Sequence, residues 1–368
     1  MHLGEITLVV DTTMCIPVTA ELTPAPGCTS ASLPGGTPLY NDGLLAADAT
    51  IRSHPDMAHT LALLVSHHGE IVFERHYRGS VPADLHCIHS VTKSFTSTIV
   101  GILAGDGLVS LDAPVASLID APAFRSDPVK ATITVRHLLT MSSGLYGHGW
   151  WDIDEIEVRG EPVLEGALEA PLVAPPGWGF LYNNGAAHAL AAVIGAVSGR
   201  TPDDVAADRL FGPLGIERWS WPTDAEGHHW GYDGLELAAR DLLKLGLLYL
   251  HGGAWAGTRV LDETYVRTAT SPLTEGGPPE RCGYGLLWWV ADRATTPSYF
   301  AGGHGGQYVV VVPELDLVVV TMGDADAMAY PAASRAWPCA GSSTRRSCRR
   351  SGRSRSRGCI IRLLCAAL

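Results

Sequence analysis

Lysine is scarce in this chain: Lys93, Lys130 and Lys244 are three of 26 basic residues, and arginine supplies the other 23. Guanidinium stays charged, whereas a buried ammonium can be neutralised. A lysine retained against that bias is a candidate for proton chemistry. Other absences narrow the field. The eight cysteines never form Cys-x-x-Cys, which excludes the common zinc and dithiol spacings. Their scatter reads as reduced thiols rather than a disulfide framework. There is no His-Glu-x-x-His, Walker or Gly-x-Gly-x-x-Gly pattern, so metalloprotease and phosphate-loop readings fall away. The absence of Gly-x-Ser-x-Gly excludes the α/β-hydrolase elbow. No apolar run approaches ~18 residues, so no membrane-spanning helix is expected. Met1 to Ser30 lacks a basic start followed by an unbroken apolar run, so no signal peptide is read and a cytoplasmic location is expected.

With 368 residues, 46% hydrophobic and 17% charged, the chain can bury a large core. The net charge of -12 conceals two regions. Residues 331–368 hold nine arginines and no acid, leaving 17 basic and 38 acidic groups before them, a net of -21. An acidic body argues against a nucleic-acid partner.

Apolar, β-rich runs at Thr60 to Ser66 and Ile71 to Tyr77 flank His67-His68-Gly69-Glu70 and predict a hairpin with a solvated turn. Ser90 to Ala104 reads as a helix with a buried stripe of Phe95, Ile99, Val100 and Leu103, closed by Gly105. Helical pieces are expected at Ala113 to Ile119, Thr134 to Met141 and Gly185 to Val197. Another opens at Thr201-Pro202, and a longer one runs from Leu235 to Leu250. Strands are expected at Tyr284 to Val290, Gln307 to Val312 and Leu317 to Met322, with a turn at Pro313 to Asp316. Strands at both ends and helices between them predict a mixed sheet whose ends meet, with a helical lobe inserted.

Three places carry candidate chemistry. Ser90-Val91-Thr92-Lys93 spans just under one helical turn, which places an amine beside a serine hydroxyl. At a helix start, the Ser90 N–H is an unsatisfied donor and the dipole favours an oxyanion. A chance Ser-x-x-Lys is expected in about one such chain in five. The second place is Leu181-Tyr182-Asn183-Asn184. Tyr182 can act as a base if Lys93 lowers its pKa from ~10, and Asn184 can bond Lys93 or a substrate carbonyl. The alternatives are a core tyrosine and a helix cap. The third is Gly302-Gly303-His304-Gly305-Gly306-Gln307, where glycines let a substrate lie against a strand and the Gln307 N–H can complete an oxyanion hole. The alternative is a glycine-rich hairpin with an exposed histidine. Tyr146, Trp150 and Trp151 are candidate pocket walls or core residues.

In this order the three places resemble the serine β-lactamase and penicillin-binding-protein superfamily, in its class C-like esterase and 6-aminohexanoate-dimer hydrolase branch. Supporting stretches are His89-Ser90-Val91-Thr92-Lys93-Ser94-Phe95, Gly107 to Asp112, Thr134 to Thr140 with Ser143-Gly144-Leu145, Pro213-Leu214-Gly215-Ile216, and Gly283-Tyr284-Gly285-Leu286. The likeness runs from about Asn41 to Gly323. It implies an α+β fold, β-lactamase/transpeptidase-like, with an antiparallel sheet flanked by helices and an inserted helical lobe. The implied organisation is an irregular lead-in at 1–40, a serine hydrolase domain at 41–330 with the lobe roughly at 110–230, and an Arg/Ser/Cys-rich tail at 331–368. The resemblance implies Ser90 as the acylated nucleophile, Lys93 and Tyr182 as acid and base, and oxyanion donors at Ser90 and Gln307. The expected substrate is a small ester or amide, with no cofactor and no metal; the oligomeric state is open. The remaining readings are a β-lactamase or D-Ala-D-Ala carboxypeptidase, and an inactive binding relative or a protein damaged at its C-terminus.

Two departures bear on this. Where lactamases carry Lys-Thr-Gly, this chain has His304-Gly305-Gly306. A fixed ammonium on a substrate carboxylate is worth about 1.5–3 kcal/mol, so its loss favours esters or small amides over β-lactams. The tail, with Arg345-Arg346-Ser347-Cys348-Arg349-Arg350, does not read as the family's closing helix and fits a disordered or frame-shifted segment. Without that helix the sheet is expected to leave an apolar face uncovered.

Overall fold

A computed structural model describes residues 39–327 except residue 295. The first 38 residues of the expected lead-in, and the whole tail, lie outside the described residues. Eight strands form one sheet: β1 Thr60–His67, β2 Glu70–His76, β3 Thr274–Gly277, β4 Cys282–Tyr284, β5 Trp289–Ala291, β6 Ser298–Gly303, β7 Gln307–Val312 and β8 Leu317–Gly323. Their order is β2-β1-β8-β7-β6-β5-β4-β3, and the neighbours all pair antiparallel, as the resemblance implies and unlike the mixed sheet expected from element order. The first hairpin therefore joins the last strand, from Thr60 opposite Gly323 to His67 opposite Leu317. The β1–β2 turn is as expected. His68 and Gly69, with φ of 52° and 77°, lie between the paired His67 and Glu70, the geometry that suits a two-residue hairpin.

The valine-rich β7 and β8 are buried at every position. Both faces of the sheet centre are thus covered; the closing helix on which the expected bare face depends lies outside the described residues. Helix Ala239–Leu250 packs on β7, β8 and β1. Its Gly246 permits the close approach: a Cβ there would lie 2.5 Å from Val318 Cγ1. The long insertion between β2 and β3 carries the helical lobe, including Val135–Leu139, Ile153–Arg159, Val163–Glu169 and Asn184–Ser198. Thr134 caps helix Val135–Leu139 by accepting from the His137 N–H; Thr201 caps helix Pro202–Ala206, with Pro202 in the first turn, as the sequence predicts. No helix among the described residues is long and apolar enough to cross a membrane.

Several boundaries differ from expectation. Regular helix begins at Thr92, after a 3-10 turn at His89–Val91. The Leu235 to Leu250 helix starts at Ala239, because Glu236–Leu237 pairs with His86–Cys87. Tyr284 to Val290 is not one strand. The chain turns at Gly285, where a Cβ would sit 2.0 Å from Ala269 O, and at Leu287, with φ of 58°. Ala113 to Ile119 keeps only a 3-10 turn at Val115–Ser117, behind Pro114. Helix Leu39–Ser53, which buries Leu44, Ala47 and Ile51, and strand β6 were not anticipated. Of the described cysteines, Cys282 is free, as expected, whereas Cys87 is disulfide-bonded, against the expectation of reduced thiols.

Candidate active site

Ser90 lies in the 3-10 turn that leads into helix Thr92–Gly105. His89 before it holds φ at 47°, a left-handed conformation unusual outside glycine. The strained turn leaves Ser90 half-buried at the edge of a cleft, while the helix behind it is buried from Thr92 to Leu103. Lys93, 1% exposed, donates from Nζ to Ser90 Oγ at 2.7 Å and to the Tyr232 carbonyl at 3.0 Å. Its Nζ stands 4.9 Å from the Tyr182 ring centroid and 5.2 Å from that of Tyr232. The amine is thus boxed between two aromatic faces and aimed at the hydroxyl.

The cleft has a volume of about 370 Å³. Phe180, Tyr182 and Trp289 form an apolar wall of touching rings, with Tyr182 stacked on Trp289 at 5.9 Å. Among the described residues its polar lining is Ser90, Asn184, Asp233, Glu280, His148 and His304, with no lysine or arginine. Tyr182 precedes helix Asn184–Ser198, whose cap is Asn183: its Oδ1 accepts from Ala186 N at 3.0 Å. Asn184, one residue inside, keeps a buried Oδ1 with no hydrogen-bond partner. That orphaned acceptor on a cleft-lining residue suits a ligand's N–H or O–H. The sequence alternative of a cap thus belongs to Asn183, and Lys93 spends its bonds on Ser90 and Tyr232.

The third motif is rearranged relative to expectation. Gly302 and Gly303 end β6, His304 to Gly306 make the turn, and Gln307 opens β7 opposite Gly303. Pairing of β6 with β5 stops at Phe300 opposite Trp289, so the backbone beyond it borders the cleft at Gly302, Gly303 and His304. Gly303 is pressed on the nucleophile turn: a Cβ would lie 2.5 Å from Ile88 O. Gly306 and Gln307 are not among the lining residues. Gln307 is fully buried, and its side-chain amide is exchanged with the Gly323 backbone. Nor do the candidate walls line the cleft. Trp150 is 62% exposed beneath Arg159, and Tyr146 packs against His148, which takes the lining place instead.

Asp233 is the main lining residue that sequence reasoning missed. Its Oδ1 lies 3.2 Å from His89 Nδ1 and accepts from Gly234 N at 2.7 Å. Burial opposes its charge, yet the His89 ring and Lys93 hold its carboxyl below the usual range. Its only sequence signal is an acid between glycines in Gly231-Tyr232-Asp233-Gly234. Glu280, Pro278 and Pro279 come from the β3–β4 connection, with Glu280 accepting from the Tyr308 hydroxyl at 3.3 Å. The arrangement supplies a hydroxyl with an adjacent amine, an aromatic wall and an open backbone edge.

Comparison with known proteins gives a concordant result. The family model described as Beta-lactamase matches residues 47–336. The chain is 25% identical over 310 residues to a 6-aminohexanoate-dimer hydrolase of Paenarthrobacter ureafaciens, covering 75% of this chain and 76% of that one. It is 26% identical over 271 residues to penicillin-binding protein 4 of Amycolatopsis lactamdurans, covering 63% and 70%. Among solved structures, EstCE1, a hydrolase with promiscuous acyltransferase activity, superposes with a TM-score of 0.62 at 19% identity, covering 77% of this chain and 93% of that one.

Proposed function

The chain belongs to the Beta-lactamase family, and from that premise we propose that it hydrolyses esters or small amides through an acyl-enzyme on Ser90. The observation that carries this reading is the 2.7 Å approach of Lys93 Nζ to Ser90 Oγ at the edge of the cleft. That separation serves proton transfer. The Lys93 ammonium first releases a proton to solvent; Ser90 Oγ, with its O–H turned toward the neutral Nζ, then bonds to the substrate carbonyl carbon as its proton passes to Lys93. The carbonyl π electrons move onto oxygen. The oxyanion meets the Ser90 N–H and the backbone at Gly303-His304, which takes the place expected of Gln307. When the tetrahedral adduct collapses, its bond to the leaving group breaks, and Lys93 and Tyr182 return the proton to that group. Water then adds to the acyl ester, gives up a proton by the same route, and frees the acid and Ser90.

The lining supports a neutral acyl group. Among the described residues it contains the carboxyls of Asp233 and Glu280 and no lysine or arginine, so these residues offer a substrate carboxylate no permanent countercharge. The relative named for a 6-aminohexanoate dimer and the neighbour with acyltransferase activity support acyl transfer from small molecules. A substrate profile tests the reading: a p-nitrophenyl butyrate turnover exceeding that of the matching anilide, with nitrocefin slowest. Fastest turnover of nitrocefin would assign a β-lactamase instead. No turnover of any would leave a binding protein.

A further inference from the structure

Behind Lys93, residues Trp230 to Asp233 form a strap outside helix and strand. On one side it meets the nucleophile helix: Thr96 Oγ1 donates to Gly231 O at 2.8 Å and Lys93 Nζ to Tyr232 O at 3.0 Å, while Asp233 faces His89. On the other side Trp221 Nε1 donates to Trp230 O at 2.9 Å, and the Tyr232 hydroxyl to Asp154 at 2.7 Å. Gly231 is pressed on helix Asn184–Ser198, where a Cβ would lie 2.4 Å from Ala187 O. There its N–H meets His188 Nδ1 at 3.4 Å.

His188 and Asp224 both have side chains that are 0% exposed, with Nε2 3.1 Å from Oδ2. Asp224 also accepts from His228 N at 2.8 Å, and His228 Nδ1 lies 3.3 Å from its Oδ2. The facing N–H of Gly231 makes His188 Nδ1 the acceptor, so the ring proton sits on Nε2 and is donated to Asp224. Burial keeps this imidazole below its usual pKa, in agreement with a neutral ring. The trio has the spacing of metal ligands, but a ligating Nε2 would need the lone pair that this tautomer lacks.

We propose that the buried His188–Asp224 pair is the positioning unit for Lys93, acting through the strap. Asp224 fixes the ring, the ring fixes the Gly231 N–H, and the strap then presents the Tyr232 carbonyl that holds the amine toward Ser90. No strand ladder orients these peptides, so the pair supplies what a ladder would. A small displacement of a reacting group costs up to about a hundredfold in rate. The inference rests on the acylation chemistry proposed above.

The experiment compares wild type, His188→Ala, His188→Gln and Asp224→Asn by thermal melt, steady-state ester hydrolysis and fluorophosphonate labelling rate. His188→Ala should stay folded and lose tenfold or more in kcat and labelling rate, with KM within about twofold. Gln, which keeps a donor toward Asp224, should regain most of the loss. Equal kcat in folded His188→Ala, or a KM that rises as kcat falls, would overturn the proposal. If His188→Ala does not fold, Asp224→Asn carries the same expectation; if neither folds, the pair is structural alone and the proposal fails. Absence of label on wild type would instead defeat the acylation reading.

Discussion

Replacing Lys93 by methionine should separate what the lysine does for the fold from what it does for the reaction. The side chain is 1% exposed and donates to Ser90 Oγ and Tyr232 O between two tyrosine rings. Methionine keeps a similar stem and loses the nitrogen. The Tyr232 carbonyl is then left without this donor, at about 1–3 kcal/mol, and two ring contacts worth about 0.5–2 kcal/mol each disappear. Against this, the variant no longer has a cationic group to strip of water, a cost of several kcal/mol. The losses and the relief oppose each other, so the fold should be affected far less than the reaction; each 1 kcal/mol that remains shifts Tm by about 2–4 °C in a domain of this size. The reaction has no such compensation, since a positioned base contributes about 10²–10⁴-fold. Melts, ester turnover and fluorophosphonate labelling on the same preparations give the comparison. Labelling within threefold of wild type, or a much larger Tm loss with turnover intact, would refute the reasoning and make Lys93 structural.

Other outcomes follow from the same geometry. His304→Lys adds a fixed charge to a lining whose described residues include no lysine or arginine; relative kcat/KM should move toward carboxylate-bearing substrates, and an unchanged ratio would place the residue outside the binding region. Gly303→Ala puts a Cβ 2.5 Å from Ile88 O beside the nucleophile turn, so labelling should slow by at least about tenfold; wild-type labelling would disprove that contact. His188 is held neutral by burial, with its pKa below the ordinary 6.5. The unfolded ring binds a proton that the folded ring resists, so stability is full above 6.5 and falls as pH drops below it. Between about pH 7.5 and 5.5 wild type should lose more Tm than His188→Gln, and parallel curves would contradict this sign.

What could be read in advance depended on how local each feature is. The Ser90–Lys93 approach follows from three-residue spacing, which survives the shift of the helix start to Thr92. The hairpin at His68-Gly69 and the valine strands β7 and β8 are likewise set by short-range pattern. Strand β6 was hidden because its Gly302-Gly303 end suppresses the usual β signal, although those glycines let it press against Ile88. That hidden strand brings Gly302, Gly303 and His304 to the cleft lining. Asn184 and Asn183 exchanged the expected cap by one residue, a distinction that composition does not carry. Asp233, Glu280 and His188 were invisible for another reason. Their surroundings come from segments far apart in the chain, and the strap carrying Asp233 is shaped by tertiary partners rather than by periodicity.

The central claim is that Ser90 becomes acylated. Intact mass after incubation with a fluorophosphonate tests it most directly, with Ser90→Ala as the paired sample. The account predicts one adduct on wild type, mapped to the peptide containing Ser90, and none on the variant. An unmodified wild type, or an equal adduct on Ser90→Ala, would contradict it.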